Sequence, residues 1–60
     1  MNGMTERRAG EDRLRTAQDC CAAGAWREAG EHYRGLLDQD PAHGEANYGM
    51  GLVALRLGEP

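Results

Sequence analysis

The stretch GAWREAGEHYRGLLDQDP, residues 24–41, decides the fold of this chain. Its apolar positions recur at intervals of three and four, which places them on one face of a helix. They are Trp26, Ala29, Tyr33, Leu36 and Leu37. Gly24 precedes the pattern and can close an earlier helix, while Asp40 is pushed out of the α region by the proline after it. The stretch therefore predicts a helix over residues 26–39.

A similar pattern precedes this stretch. Leu14, Ala17, Cys21 and Gly24 follow one another at intervals of three and four, and charged residues fill the opposite face. This spacing predicts a helix over residues 9–23, closed by Gly24 in the left-handed conformation. Residues 1–8 are polar and contain a glycine, so we expect them to form a flexible tail.

A third periodic segment follows Pro41 and predicts a helix over about residues 45–57. Its apolar residues fall into two stripes rather than one. The first comprises Ala46, Met50, Val53 and Leu57, and the second comprises Tyr48, Gly51, Leu52 and Leu55. Because a helix that is apolar on two sides is normally covered on two sides, one preceding hairpin leaves one stripe open. We therefore expect self-association through the third helix, or poor folding of the isolated chain.

Composition narrows the class of protein. The chain has 60 residues, ten acids against seven bases, and a net charge of −3. This balance argues against a nucleic-acid partner and against a polybasic membrane patch. The sequence contains neither an 18-residue apolar run nor a secretory signal, so we expect no membrane partner and a cytoplasmic location. Adjacent cysteines, Cys20 and Cys21, rarely pair with each other and are expected to be reduced.

Candidates for catalysis or metal binding are weak. His32 and His43 lack the spacing of a zinc site, and both cysteines lie near a helix C-terminus, where the dipole disfavours a thiolate. The acidic residues read as solvated faces, and no phosphate-binding loop is present. The sequence therefore predicts no enzyme activity, no metal site and no cofactor.

A repeat of 34 residues gives the strongest indication of function. Gly24 and Gly58 are separated by 58 − 24 = 34 residues, the period of tetratricopeptide repeats. Ala29, Tyr33 and Pro41 match that family's small, aromatic and closing proline positions, and the pair Met50-Gly51 stands where the family often has Leu-Gly. The chain thus resembles the tetratricopeptide repeat family. It departs from the family at Asn47, where a tryptophan is common.

The resemblance implies a fold and a function. The fold class is all-α, an antiparallel helix-turn-helix repeat, with a first hairpin over residues 9–43 and the first helix of a second, incomplete unit over residues 44–60. In this family the first helices of successive units line a groove that binds a protein or peptide partner. The corresponding partner-binding positions here are Leu14, Gln18, Glu45, Tyr48, Leu52, Leu55 and Arg56.

The same positions bear on the kind of partner. One version of the family holds the terminal carboxylate of heat-shock chaperones with lysine, asparagine and arginine at the groove positions that correspond to Leu14, Gln18, Tyr48 and Leu52. Neither cation is present, so an apolar or helical partner fits better. For Leu14, Cys21, Leu52 and Leu55, the alternative is a purely structural role in the core.

Two other functions remain open at this point. The chain could be the N-terminal segment of a larger bacterial enzyme, such as a sulfotransferase or a glycosyltransferase. In many bacterial proteins that resemble this one, an array of such repeats precedes a catalytic domain. It could also be a small helical adaptor that self-associates through its open face.

Overall fold

The computed structural model describes the backbone of residues 2–58 and the side chains of residues 10–58. Three helices follow one another: α1 over Asn2–Ala22, α2 over Trp26–Gln39 and α3 over Gly44–Gly58. No strand occurs within residues 2–58. The expected all-α hairpin fold is confirmed, and α2 has the bounds that its sequence predicts. Met1, in the predicted tail, lies outside the described residues, and so do Glu59 and Pro60, at the end of the predicted second unit.

The first helix begins earlier than the sequence suggested. The expected start near Ala9 is wrong, since α1 begins at Asn2 and the backbone of residues 2–8 is helical rather than a tail. Glu6, Arg7 and Arg8 are good helix formers, so they offset the cost of Gly3 and Gly10. Periodicity of apolar residues alone misses such a segment, because a polar helix end carries no apolar stripe.

The turn between α1 and α2 is a Schellman motif. Gly24 has φ +78°, the left-handed conformation expected of a glycine that closes a helix. Its backbone N–H donates to the carbonyl of Cys21 at 3.0 Å, and the N–H of Ala25 donates to the carbonyl of Cys20 at 2.8 Å. These bonds satisfy two of the free carbonyls at the end of α1, and the chain reverses direction at Gly24.

Side-chain hydrogen bonds shape the connection between α2 and α3. Asp40 is extended (φ −143°, ψ 90°), and its Oδ1 accepts the N–H of Ala42 at 3.2 Å. His43 caps α3, because its Nδ1 accepts the N–H of Ala46 at 3.1 Å. The amide of Asn47 donates to the carbonyls of Pro41 and His43, at 3.1 and 3.0 Å. Asn47 therefore stabilises the loop between α2 and α3.

The three helices run antiparallel in sequence order, with α2 between the other two. Between α1 and α2, Arg13 lies against Gly35 and Cys20 approaches Glu28, so residue numbers fall along one helix as they rise along the other. Between α2 and α3, Trp26 meets Arg56 and Tyr33 meets Gly49 in the same order. Both α1 and α3 pack extensively on α2 but touch each other only slightly. Helices α1 and α3 thus run parallel to each other, and the cleft between them has α2 as its floor.

The core is small and built largely of small side chains. Its buried members are Ala17, Ala29, Tyr33, Leu36, Ala46 and Val53. The predicted core face of α2 is confirmed at Ala29, Tyr33 and Leu36, and Trp26 is half-buried beside them. Gly30 permits close approach to α3, since a Cβ added there would lie 3.2 Å from Cγ1 of Val53.

The third helix buries a narrow face and exposes both of its flanks. Ala46, Gly49 and Val53 are buried against α2. Tyr48, Leu55 and Leu57 are 76%, 60% and 51% exposed. The expectation that one apolar stripe stays open is therefore correct for Tyr48 and Leu55, and the other stripe is itself covered only in part. Over the described residues, no helix combines the length and apolar character needed to cross a membrane.

Candidate functional site

The cleft between α1 and α3, here called the α1–α3 groove, is a concave surface of the described residues. Its volume is about 500 Å³, and its walls come from α1 and α3 over a floor supplied by α2. It is lined by Gln18, Cys21, Tyr33, Gly44, Glu45, Tyr48, Gly49 and Leu52. The groove is mostly apolar, with polar groups at its rim and one phenol at its floor.

Tyr33 supplies that floor. Its side chain is only 4% exposed, and its hydroxyl lies 3.8 Å from the Sγ of Cys21. Burial, followed by the hydrogen bond with the Cys21 thiol, raises the pKa of Tyr33 to about 12. Tyr33 is therefore a neutral phenol at ordinary pH, and its ring presents an apolar surface to the groove.

A glycine on α3 makes room for the Tyr33 ring. A Cβ added at Gly49 would overlap three ring carbons of Tyr33. Sequence reasoning missed this contact, because it gave Gly49 no role in the third helix. A glycine inside a helical pattern often signals close approach of another element, and that signal was available.

The two cysteines are free and point to different partners. Cys21 faces Tyr33 in the groove, whereas the Sγ of Cys20 lies 4.0 Å from Oε2 of Glu28. Burial and the Glu28 carboxylate raise the pKa of the Cys20 thiol. This environment disfavours the thiolate that a nucleophile requires, so Cys20 has the setting of a packing residue.

A second cavity adjoins the first between the middle of α1, the C-terminal end of α2 and the loop that leads into α3. We call it the acidic cavity; its volume is about 340 Å³. It is lined by Gly10, Glu11, Leu14, Leu36, Gln39, Asp40, His43 and Glu45. Because Glu45 lines both spaces, they form one continuous surface on the α1–α3 side of the molecule.

A third concave surface, the α2–α3 groove, lies on the opposite flank of α3. Its volume is about 270 Å³. It is lined by Arg27, Gly30, Glu31, Arg34, Met50, Val53, Ala54 and Leu57. Its floor is apolar and its α2 rim carries two arginines, so its charge differs from that of the acidic cavity.

The structure brings together four of the seven positions predicted to bind a partner. Gln18, Glu45, Tyr48 and Leu52 line the α1–α3 groove. Leu14 lines the acidic cavity and also packs against the core, so it belongs to both interpretations.

The last two predicted positions lie outside both cavities. Leu55 follows Leu52 by three residues and so shares its flank of α3, but it does not line the groove. Arg56 lies over the indole of Trp26, with its Cζ 5.4 Å from the ring centroid, a cation–π arrangement. The sequence places Arg56 in the groove, but in the structure Arg56 does not line it.

No three histidine, cysteine or acidic side chains within the described part of the chain are grouped so that they could hold a metal ion. No protein-family model matches the chain, no curated protein is significantly similar to it, and no solved structure matches it.

Proposed function

We propose that this chain is a protein–protein interaction module, of the tetratricopeptide-like type, that binds a peptide or helix in the α1–α3 groove. The observation that carries the proposal is Tyr48, which is 76% exposed on the wall of a concave, apolar surface. Half-buried Leu52 and buried Tyr33 extend the same surface inward. Concave apolar surfaces with few polar groups are typical binding sites.

Energetics support the same proposal. An aromatic side chain left in water forgoes roughly 1.5–3 kcal/mol of burial, which is large against the stability of a 60-residue domain. A partner side chain between Tyr48 and Leu52 would recover part of it. Aromatic residues at the centre of an interface are also those that contribute most to binding.

The test is selection followed by mapping. A displayed library of random peptides is selected on the unlabelled protein. The enriched peptides are then titrated into the 15N-labelled protein, and its amide signals are followed by NMR. We expect amide shifts concentrated at Gln18, Glu45, Tyr48 and Leu52. Failure to enrich any peptide, or shifts confined to the Arg27 and Arg34 side, would contradict the proposal.

The α2–α3 groove favours a second candidate, self-association. Leu57 is 51% exposed beside half-buried Met50, on the flank of α3 opposite to Tyr48. A second copy of the chain seated there would cover apolar surface that the monomer leaves open. Sedimentation distinguishes this role from peptide binding, because it requires no other partner.

A further inference from the structure

The two sides of the molecule differ in charge. On the α1–α3 side, the charged residues that line the groove and the acidic cavity are all carboxylates: Glu11, Asp40 and Glu45. On the α2–α3 side, the charged residues that line the groove are Arg27, Glu31 and Arg34. An apolar concave surface whose charged residues are all carboxylates therefore lies on the α1–α3 side, whereas the α2–α3 groove carries two arginines beside one carboxylate.

Glu45 connects the apolar and acidic parts of that side. Its side chain borders the groove, next to Tyr48, and also the acidic cavity, next to Glu11 and Asp40. A segment whose apolar residue enters the groove must carry its neighbouring residues past these carboxylates. Opposite charge at those neighbouring residues is the complementary arrangement, and like charge would be repelled.

We propose that the occupant of the α1–α3 groove is a basic amphipathic segment, with apolar side chains against Tyr48 and Leu52 and lysine or arginine beside Glu45 and Glu11. This inference rests on the proposed function and specifies its partner class. A partner that presents a carboxylate would carry the opposite charge, and neither cavity is lined by a lysine or arginine that could bind it.

The carboxylates are exposed, which sets the size of the effect. An exposed ion pair contributes little, so the apolar contacts supply most of the affinity. The charges instead select between partners and speed association, and their effect falls with added salt. Loss of two carboxylates should therefore weaken a basic peptide by about three- to tenfold at low salt.

Structural roles of these residues decide which ones to change. Asp40 accepts a hydrogen bond from Ala42 in the loop, so its removal would disturb the fold. Glu11 and Glu45 have exposed side chains and accept no such bond from residues 10–58, so the double variant Glu11→Gln/Glu45→Gln is the test protein. Glu31→Gln removes an exposed carboxylate from the α2–α3 groove and is the matched control.

The probes are the peptides enriched on the wild-type chain, together with two synthetic copies of each. In one copy every lysine and arginine is replaced by glutamine, and in the other by glutamate. We expect the enriched pool to carry net positive charge. The double variant should bind the basic peptide about three- to tenfold more weakly at low salt, and bind the glutamine copy as the wild type does. The Glu31→Gln control should bind both as the wild type does.

Two results would overturn the inference while leaving the proposed function in place. The enriched pool could be neutral or acidic, or the double variant could bind basic peptides undiminished, with amide shifts still in the groove. If no peptide binds the groove at all, the proposed function fails, and the inference fails with it.

Discussion

Two glycines on α3, only two positions apart, meet opposite surroundings. Gly49 is buried, and a Cβ there would overlap the Tyr33 ring, whereas Gly51 is exposed and has no atom within 4 Å of such a Cβ. We expect Gly49→Ala to lower the free energy of unfolding by about 1–3 kcal/mol, because the ring must shift. Gly51→Ala should raise it by up to about 1 kcal/mol, through helix propensity alone.

Urea unfolding of the two variants beside the wild type measures both effects. An equal gain in stability for Gly49→Ala and Gly51→Ala would mean that Tyr33 does not pack against the α3 backbone.

The ionisation of Tyr33 gives a second prediction at the same scale. Its pKa is raised by burial from an ordinary value near 10 to about 12. The folded state then holds the phenol proton more tightly than the unfolded state. The stability that Tyr33 contributes is therefore fully present below about pH 10, and is lost as the pH rises towards about 12.

Phenolate absorbance of a Tyr48→Phe variant, which leaves Tyr33 as the one tyrosine, measures that pKa directly. We expect its midpoint clearly above 10, with a parallel loss of helical signal. A midpoint near 10 in a chain that remains folded would place the hydroxyl in water.

At the scale of the helices, the spacing of apolar residues predicts those helical segments that have an apolar face. It gives both ends of α2, because Gly24 and Pro41 bound a strongly amphipathic segment. It misses the start of α1, since residues 2–8 form helix without an apolar face. It also leaves open which stripe of α3 is covered, because that choice depends on fit rather than on hydrophobicity. The side with Ala46 and Gly49 is narrow enough to accept Tyr33, and so it packs on α2.

The close packing of α2 can be tested at Ala29, which is fully buried. Ala29→Arg places a charge at a helix contact without room or a partner, so it should destabilise the chain by several kcal/mol. Glu31→Arg, at an exposed position of the same helix, should change stability by only about 0.5 kcal/mol. Thermal melts followed by circular dichroism compare the two, and an unchanged melt for Ala29→Arg would rule out the packing described here.

For the whole molecule, the balance between buried and exposed apolar surface is the dominant feature. A chain of 60 residues buries only roughly 60% of the surface that its unfolded form exposes, and here Tyr48, Leu55 and Leu57 add to the exposed part. We expect the isolated chain to self-associate at high micromolar concentration, and Leu57→Arg to reduce the association. Sedimentation velocity at several concentrations measures it, and a well-folded wild-type monomer throughout would contradict the expectation.

The sequence also predicted much of the lining of the groove that we propose as the binding site. The 34-residue repeat and its matching positions led to Gln18, Glu45, Tyr48 and Leu52, which meet in one groove. It missed the floor of that groove, because Tyr33 was assigned wholly to the core. It also placed Arg56 in the groove, although that side chain lies over Trp26, a contact set by the antiparallel packing of α2 and α3.

The most direct test of groove binding compares two exposed side chains on opposite flanks of α3. Tyr48→Ser removes the aromatic wall of the α1–α3 groove, and Leu57→Ser makes a similar change in the α2–α3 groove. Titration calorimetry with a peptide selected on the wild-type chain should give a Kd at least about tenfold higher for Tyr48→Ser, and an unchanged Kd for Leu57→Ser. Equal binding by wild type and Tyr48→Ser, or loss of binding in Leu57→Ser alone, would contradict the proposed site.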